Sequence, residues 1–353
     1  MFVFLIVILL LAALLEYLSL RGGLSWVDAD ISLSKNRTEA DAPVELRILI
    51  ANTGLLPISY GLIRISFPLC ASFPEGADIR RDVRLCTLTD VFRLWGRRSV
   101  QRSITFRIEK RGVYTIAGRE LARGDFLGLR LDSGRFDARS TLLVYPPRLE
   151  SAALQQALGD YSGMLSAERW LIRDPVLTLG VREYTGHEPM RTISWSQTAR
   201  RGELTVREFD YTRSLNCRVI LFVNGLEHGE AALMDRCCGA VRTICETLIE
   251  AGVEAQMFTN AALIGYPRRV CRSVTAAKNR EDDLLEFLAR VTDVPCADAA
   301  ALVEECVHAG SDAAAYVLVS PHDDDAARAA LRLLNARMHA AAAFIAVDAL
   351  EVS

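Results

Sequence analysis

An α+β chain of several parts is predicted: an apolar N-terminal helix, a β-sandwich, and an α/β region with a mainly parallel sheet. Three observations predict it. The chain opens on an almost unbroken apolar run, continues to Pro147 in short segments alternating at period two, and from Cys217 alternates strand-like runs with helical stripes. That last alternation calls for parallel strands covered by helices.

The first element is Phe2 to Leu20, which contains neither Pro nor Gly and a single charged residue, Glu16. As a helix it would reach roughly 28 Å, close to the hydrocarbon thickness of a bilayer. A glutamate near the end can sit at headgroup level, where it costs less than at the centre. Basic residues before the run and a small-residue cleavage site after it are both missing, so an uncleaved anchor over 1–20 is expected rather than a signal peptide. The positive mean hydropathy, +0.18, fits a segment placed in lipid. Arg21, Lys35 and Arg37 follow the span, and the lean is towards a single pass with a cytoplasmic body.

Composition narrows the partners. Net charge is −3, so no global field recruits nucleic acid. The nine cysteines (Cys70, Cys86, Cys217, Cys237, Cys238, Cys245, Cys271, Cys296 and Cys306) are odd in number and never spaced as CxxC. That pattern favours a reducing compartment and offers no zinc knuckle.

A sandwich is expected over 21–148. Its strands are read at 31–35, 44–52, 60–67 and 100–110, with further strands in GVYTIAG and TLLVYP. In VELRILIAN, Val44, Leu46, Ile48 and Ile50 point one way and Glu45 and Arg47 the other, the mark of a sheet with one buried face. No catalytic constellation appears here, so a structural or adhesive role is expected.

The α/β region spans 216–353. Strands are read at 217–223, 253–259, 314–320 and 342–347, with helices around 282–290, 300–308 and 324–340. Met234, Cys237, Cys238, Val241, Cys245 and Leu248 share one helical stripe, so the adjacent cysteines read as core rather than redox residues. Ligands of such sheets bind beyond the carboxyl ends of the strands. Here those ends are Asn224 to His228, Thr259-Asn260, and Ser320 to Asp325, where Asp323-Asp324-Asp325 reads as a helix cap.

Between them, 149–215 is a connecting segment dense in arginine, acids and aromatics. Its stretch REYTGHEPMRTISWSQTARRGELTVREFD resembles the signature of the domain of unknown function 58 family. Arg182, Glu183, Tyr184, Gly186, Arg191, Ile193, Trp195, Ala199, Arg200, Leu204, Val206 and Glu208 match it, and RGVY, GDFLGL and VYP resemble its upstream landmarks. The resemblance implies a von Willebrand factor A-like C-terminal domain and a partnership with MoxR-type AAA+ ATPases. Two departures stand out: His187 replaces an expected aspartate, and Asn224, Leu226 and His228 replace the D-x-S-x-S of a metal-ion-dependent adhesion site. Leu226 has no oxygen to give a hard cation, so this metal site is degenerate and no cofactor is expected.

The signature is read as a clamp. Arg182, Arg191, Arg200 and Arg207 suit bidentate pairing with Glu183, Glu203 and Glu208, while Tyr184 and Trp195 supply buried area. A short helix is expected over Ser194 to Arg200. The leading expectation is a non-catalytic, membrane-anchored scaffold that also presents this surface to a protein partner. Two alternatives stand beside it: a hydrolase or transferase using Glu183, His187 and Glu188, and a divalent-metal adhesion module using Asn224, His228 and Asp323 to Asp325.

Overall fold

A computed structural model describes residues 2–125, 127–128, 130–159, 178–186, 190–209, 216–224, 226, 230–267, 271–277, 280–309, 315–338 and 342–350. The chain divides into two compact units. One is Met1–Pro147 with Leu288–Arg290; the other is Arg148–Phe287 with Val291–Ser353.

The first unit begins with helix α1 (Phe2–Gly22). Its large apolar side chains from Phe4 to Leu11, with Leu14 and Leu18, are exposed. A helix apolar on all sides has no polar face to offer water. Among the described residues, however, no helix is long and apolar enough to cross a membrane. The described side chains of α1 run only from Phe4 to Ser19, so the expected full span is not met on them.

Two sheets follow. The first contains β1 (Val27–Leu33), β3 (Val44–Asn52), β8 (Ser99–Ile108) and β5 (Ala71–Ser72), in the order β1-β3-β8-β5. The second is built on β2 (Arg37–Glu39), β4 (Ile58–Phe67), β6 (Ile79–Arg81), β7 (Cys86–Leu94), β9 (Gly112–Gly124) and β11 (Arg139–Tyr145), with β10 (Leu131–Arg135) paired to β9. Their facing sides share one core. Val44, Leu46, Ile48 and Ile50 of β3 lie in it with Ile63, Ile65 and Phe67 of β4 and with Phe106. Each such side chain contributes roughly 2 kcal/mol by leaving water. The alternation read in VELRILIAN thus produced its strand with the expected ends. By contrast β1 starts at Val27 rather than 31, because it pairs antiparallel along the whole of β3, from Val27↔Asn52 to Leu33↔Leu46. Gly61 is required where β4 bulges: a Cβ there would stand 2.3 Å from the Phe92 ring.

The second unit opens on helix α2 (152–159). It continues with β12 (Thr178–Glu183), α3 (Trp195–Arg201) and β13 (Thr205–Phe209). Then comes a five-stranded sheet, β17-β15-β14-β19-β20, made of β14 (Asn216–Leu221), β15 (Glu254–Thr259), β17 (Arg272–Ala276), β19 (Ala315–Ser320) and β20 (Ala342–Ala346). All neighbours pair in parallel except β17, which joins the edge antiparallel to β15. That edge strand went unread, since RSVTA is short and only half-buried. Two further strands, β16 (Ala261–Leu263) and β18 (Val291–Pro295), pair apart from the main sheet.

Helices cover both faces. Helix α4 (Ala231–Glu250) buries Met234, Cys237, Cys238, Val241, Cys245 and Leu248, the stripe the periodicity predicted. Helix α5 (Glu281–Arg290) precedes β18. On another face, α6 (Ala299–His308) and α7 (Asp325–Met338) pack Leu302, Val303, Cys306, Ala330 and Leu334 against Ile220, Phe258 and Leu318. Arg218 of β14 is buried there, donating to the Cys306 carbonyl at 2.6 Å with its guanidinium 5.8 Å from the Phe258 and Tyr316 rings. None of the nine cysteines, all among the described residues, is in a disulfide. Burial pushes the Cys306 thiol up to about 12 and Cys271 up to about 11, which removes the reactive thiolate near neutral pH.

Candidate functional site

The signature stretch folds as a small unit of its own. Strands β12 and β13 form a separate two-stranded antiparallel sheet, with Val181↔Arg207, Arg182↔Val206 and Glu183↔Thr205 in register. The chain between them makes a 3-10 turn at Met190–Thr192, a bridge from Ile193 to Val206, and then α3. Gly186 turns with φ +94°, and Gly202 ends α3 in the left-handed conformation with φ +78°, its amide donating to the Thr198 carbonyl at 2.9 Å. Glycine takes these angles without a steric penalty. A short helix at this place was expected from the residues.

Local polar bonds hold the unit. Ser194 N donates to Thr205 O at 2.9 Å, Thr205 N to Thr198 Oγ1 at 3.1 Å, and Tyr184 N to Leu204 O at 2.9 Å. Ile193, Ser194, Thr205 and Val206 are buried. Ser194 stands at the N-cap of α3, where its hydroxyl makes no cap bond.

The exposed side chains depart from the clamp reading. Trp195 is 61% exposed and Met190 71% exposed, and Leu204 is exposed as well. The expectation that Trp195 supplies buried area is corrected: α3 has no buried residue, so its tryptophan has nothing to lie under. Arg182, Glu183, Gly186, Arg200, Glu203 and Arg207 are also exposed, and Tyr184 is half-buried. Arg182 reaches the Glu183 carbonyl at 3.4 Å. His187 and Glu188, and the side chains of Arg191 and Glu208, lie outside the described residues. The acid-base trio Glu183, His187 and Glu188 is thus represented only by an exposed Glu183.

The second location is the carboxyl edge of the parallel sheet. Asn224 and Leu226 are half-buried there, and His228 lies outside the described residues. Asn260, just past β15, is turned inward. Its Oδ1 accepts from Val223 N at 2.8 Å, and its Nδ2 donates to Val223 O at 2.9 Å and to Ala297 O at 3.0 Å. Asp324 caps α7 by accepting from Ala327 N at 2.6 Å, as expected of the aspartate run, and Asp323 pairs with Arg328 at 2.8 Å. Among the described residues no group of three His, Cys, Asp or Glu is arranged to hold a metal.

His322 forms a bridge that the residues alone did not reveal. Its Nδ1 lies 3.0 Å from Asp348 and its Nε2 3.3 Å from Glu230. The two carboxylates raise its pKa above the ordinary value, the Asp348 bond being the larger cause. The ring ties the start of α4 and the turn after β20 to the end of β19. Glu230 and Asp348 went unnoticed, although Asp348 closely follows the end of β20; their convergence on one imidazole needs the parallel pairing of β14, β19 and β20.

The two units therefore define an α+β scaffold with an open aromatic and arginine surface and an internally paired sheet edge. No known family profile and no curated protein matches the chain. Solved structures similar to part of it include a non-cellulosomal cohesin from Archaeoglobus fulgidus, with 11% identity, 33% of this chain and 91% of that one covered, and a TM-score of 0.25. A CARDB domain from Pyrococcus furiosus gives 12%, 34%, 94% and 0.22. The seventh ScaB type I cohesin from Pseudobacteroides cellulosolvens gives 13%, 34%, 92% and 0.25.

Proposed function

We propose that the protein is a non-catalytic interaction module, held at a membrane by α1, whose signature hairpin docks a partner protein. One observation carries this reading. The hairpin leaves Trp195, Met190 and Leu204 exposed on the same small unit as Arg182, Arg200, Arg201 and Arg207. Tryptophan, methionine and arginine are the residues that interface cores favour, and tryptophan and arginine dominate their energetics. An exposed tryptophan that a partner covers takes a large area out of water.

The arginines call for an acidic partner surface. Resemblance to the domain of unknown function 58 family names a MoxR-type AAA+ ATPase as that partner, a cytoplasmic body as its side of the membrane, and a von Willebrand factor A-like origin for the α/β region. The exposed apolar side chains of α1 support the membrane attachment, because nothing but lipid or another apolar surface relieves them of water.

Binding of a purified MoxR-type ATPase to the full-length protein in lipid nanodiscs tests the reading. Wild type should retain the ATPase, and Trp195→Ala should lose it while unfolding as wild type does. Equal retention by the variant removes the hairpin from the interface; no retention by wild type removes the ATPase.

A further inference from the structure

The hairpin joining β9 and β10 is strapped to α1 and to the 3-10 turn that follows it, Gly23–Trp26, at three successive levels. Nearest the end of the helix, Asp132 Oδ2 accepts from Leu24 N at 3.1 Å. One step up, buried Arg123 donates to the Gly23 carbonyl at 2.6 Å, the Ser19 carbonyl at 3.1 Å and Ser19 Oγ at 3.0 Å. Carbonyls of the last helical turn have no partner within the helix, and a cation answers both their bonding and the helix dipole. Highest of all, Leu127 N at the hairpin tip donates to Glu16 Oε2 at 3.1 Å. Among the described residues of the tip, Arg130 N donates to Asp125 Oδ2 at 2.7 Å, Ser59 Oγ donates to Asp125 O at 2.7 Å, and Gly128 takes φ +76°.

We infer that this tip is a second lipid contact, inserted into the bilayer interface beside α1. The inference rests on the reading of α1 as a membrane anchor. From Gly22 back to Glu16 a helix rises about 9 Å, so a tip held at Glu16 goes wherever that level of α1 goes. Interfacial elements bury their apolar face about 5–10 Å into the headgroup and acyl boundary, which is that depth. The side chains suit it. Leu127 is 49% exposed and Leu131 53% exposed, with Arg130 exposed between them as a cation for phosphate. Behind the tip, a cleft of about 290 Å³ is lined by Ser19, Arg123, Asp125, Arg130 and Asp132. Charges of both signs there match hydrated headgroups, not acyl chains. The amide that bonds Glu16 also puts a donor on the helix's only charged residue before Ser19, which eases its placement near lipid.

The test places a fluorescent noncanonical residue at position 9, 127 or 83, one per sample, in the full-length protein in bilayers of phosphatidylcholine with brominated acyl chains. Position 83 is the aqueous control, since Val83 is 87% exposed in the turn after β6. Quenching at 9 and 127, with none at 83, is the expected result. Quenching at 9 alone overturns the tip insertion and leaves the anchor standing. No quenching at 9 overturns the anchor, and the insertion falls with it. A second reading uses Leu127→Asp with Leu131→Asp and the fluorophore at position 130: the expected loss of quenching there, at least twofold, separates insertion from mere proximity, and unchanged quenching counts against it.

Discussion

In the signature hairpin, Trp195 and the arginines of β12, α3 and β13 point to solvent, and the unit is held by short backbone and threonine bonds. At the carboxyl edge of the parallel sheet, Asn260, His322 and Asp324 are turned onto other parts of the same chain. Both regions are rich in polar side chains. The first leaves them exposed, and the second has used them to close its own loops. Polar residues at the mouth of an α/β sheet therefore carry no ligand by position alone; the bonds they already make decide what remains to bind.

That contrast can be broken most severely at Asn260. Replacing it by Ala strands Val223 N and the carbonyls of Val223 and Ala297, and should cost about 3 kcal/mol in urea unfolding while leaving partner binding unchanged. Trp195→Ala should do the reverse. A loss of about 2 kcal/mol in partner affinity, roughly thirtyfold in Kd, is expected, with stability within about 0.5 kcal/mol of wild type. A large stability loss in this variant would restore the clamp in place of the interaction surface.

A smaller effect is expected from charge. Arg200→Glu combined with Arg201→Glu should slow association about tenfold at low ionic strength, with the difference shrinking as salt is raised. Rates that are equal at all salt concentrations would mean that the arginines face away from the partner.

The smallest effect concerns His322. Its folded pKa is raised above the unfolded value, so between the two the native state holds more protons and stability falls as pH rises. The stabilisation is complete below about 6.5 and is lost as pH passes through the higher folded value. In His322→Gln this slope should flatten, as read by midpoints of urea unfolding across that range. An identical slope would mean that Asp348 and Glu230 do not hold the ring in solution.

Legibility followed the range of the interactions involved. Strand β3 was readable end to end because its buried and exposed positions alternate without a break. Helix α4 was readable because its apolar stripe continues over the whole helix. In the signature, Gly186, Pro189 and Gly202 interrupt every period, so the pairing of β12 with β13 was invisible although its short helix was not. The arginines and Trp195 were recognised as special there, yet their exposure was misjudged. A tryptophan's size predicts that something should cover it, and only the placement of neighbouring elements decides whether this chain does so itself.

The amino-acid sequence by itself determined the apolar character of α1, the alternation that gives the sandwich its buried faces, the cysteine stripe of α4, the Asp324 cap and the Gly202 stop. Each depends on residues close to one another along the chain, where backbone geometry alone fixes which side chains share a face. Tertiary structure decided the rest. It brought Asn260 to Val223, His322 to Glu230, and Arg123 to the end of α1, across separations of 37, 92 and about 100 residues. Contacts of that range are selected by how strands pair and helices pack, so identical side chains elsewhere in the chain would have met different partners or none.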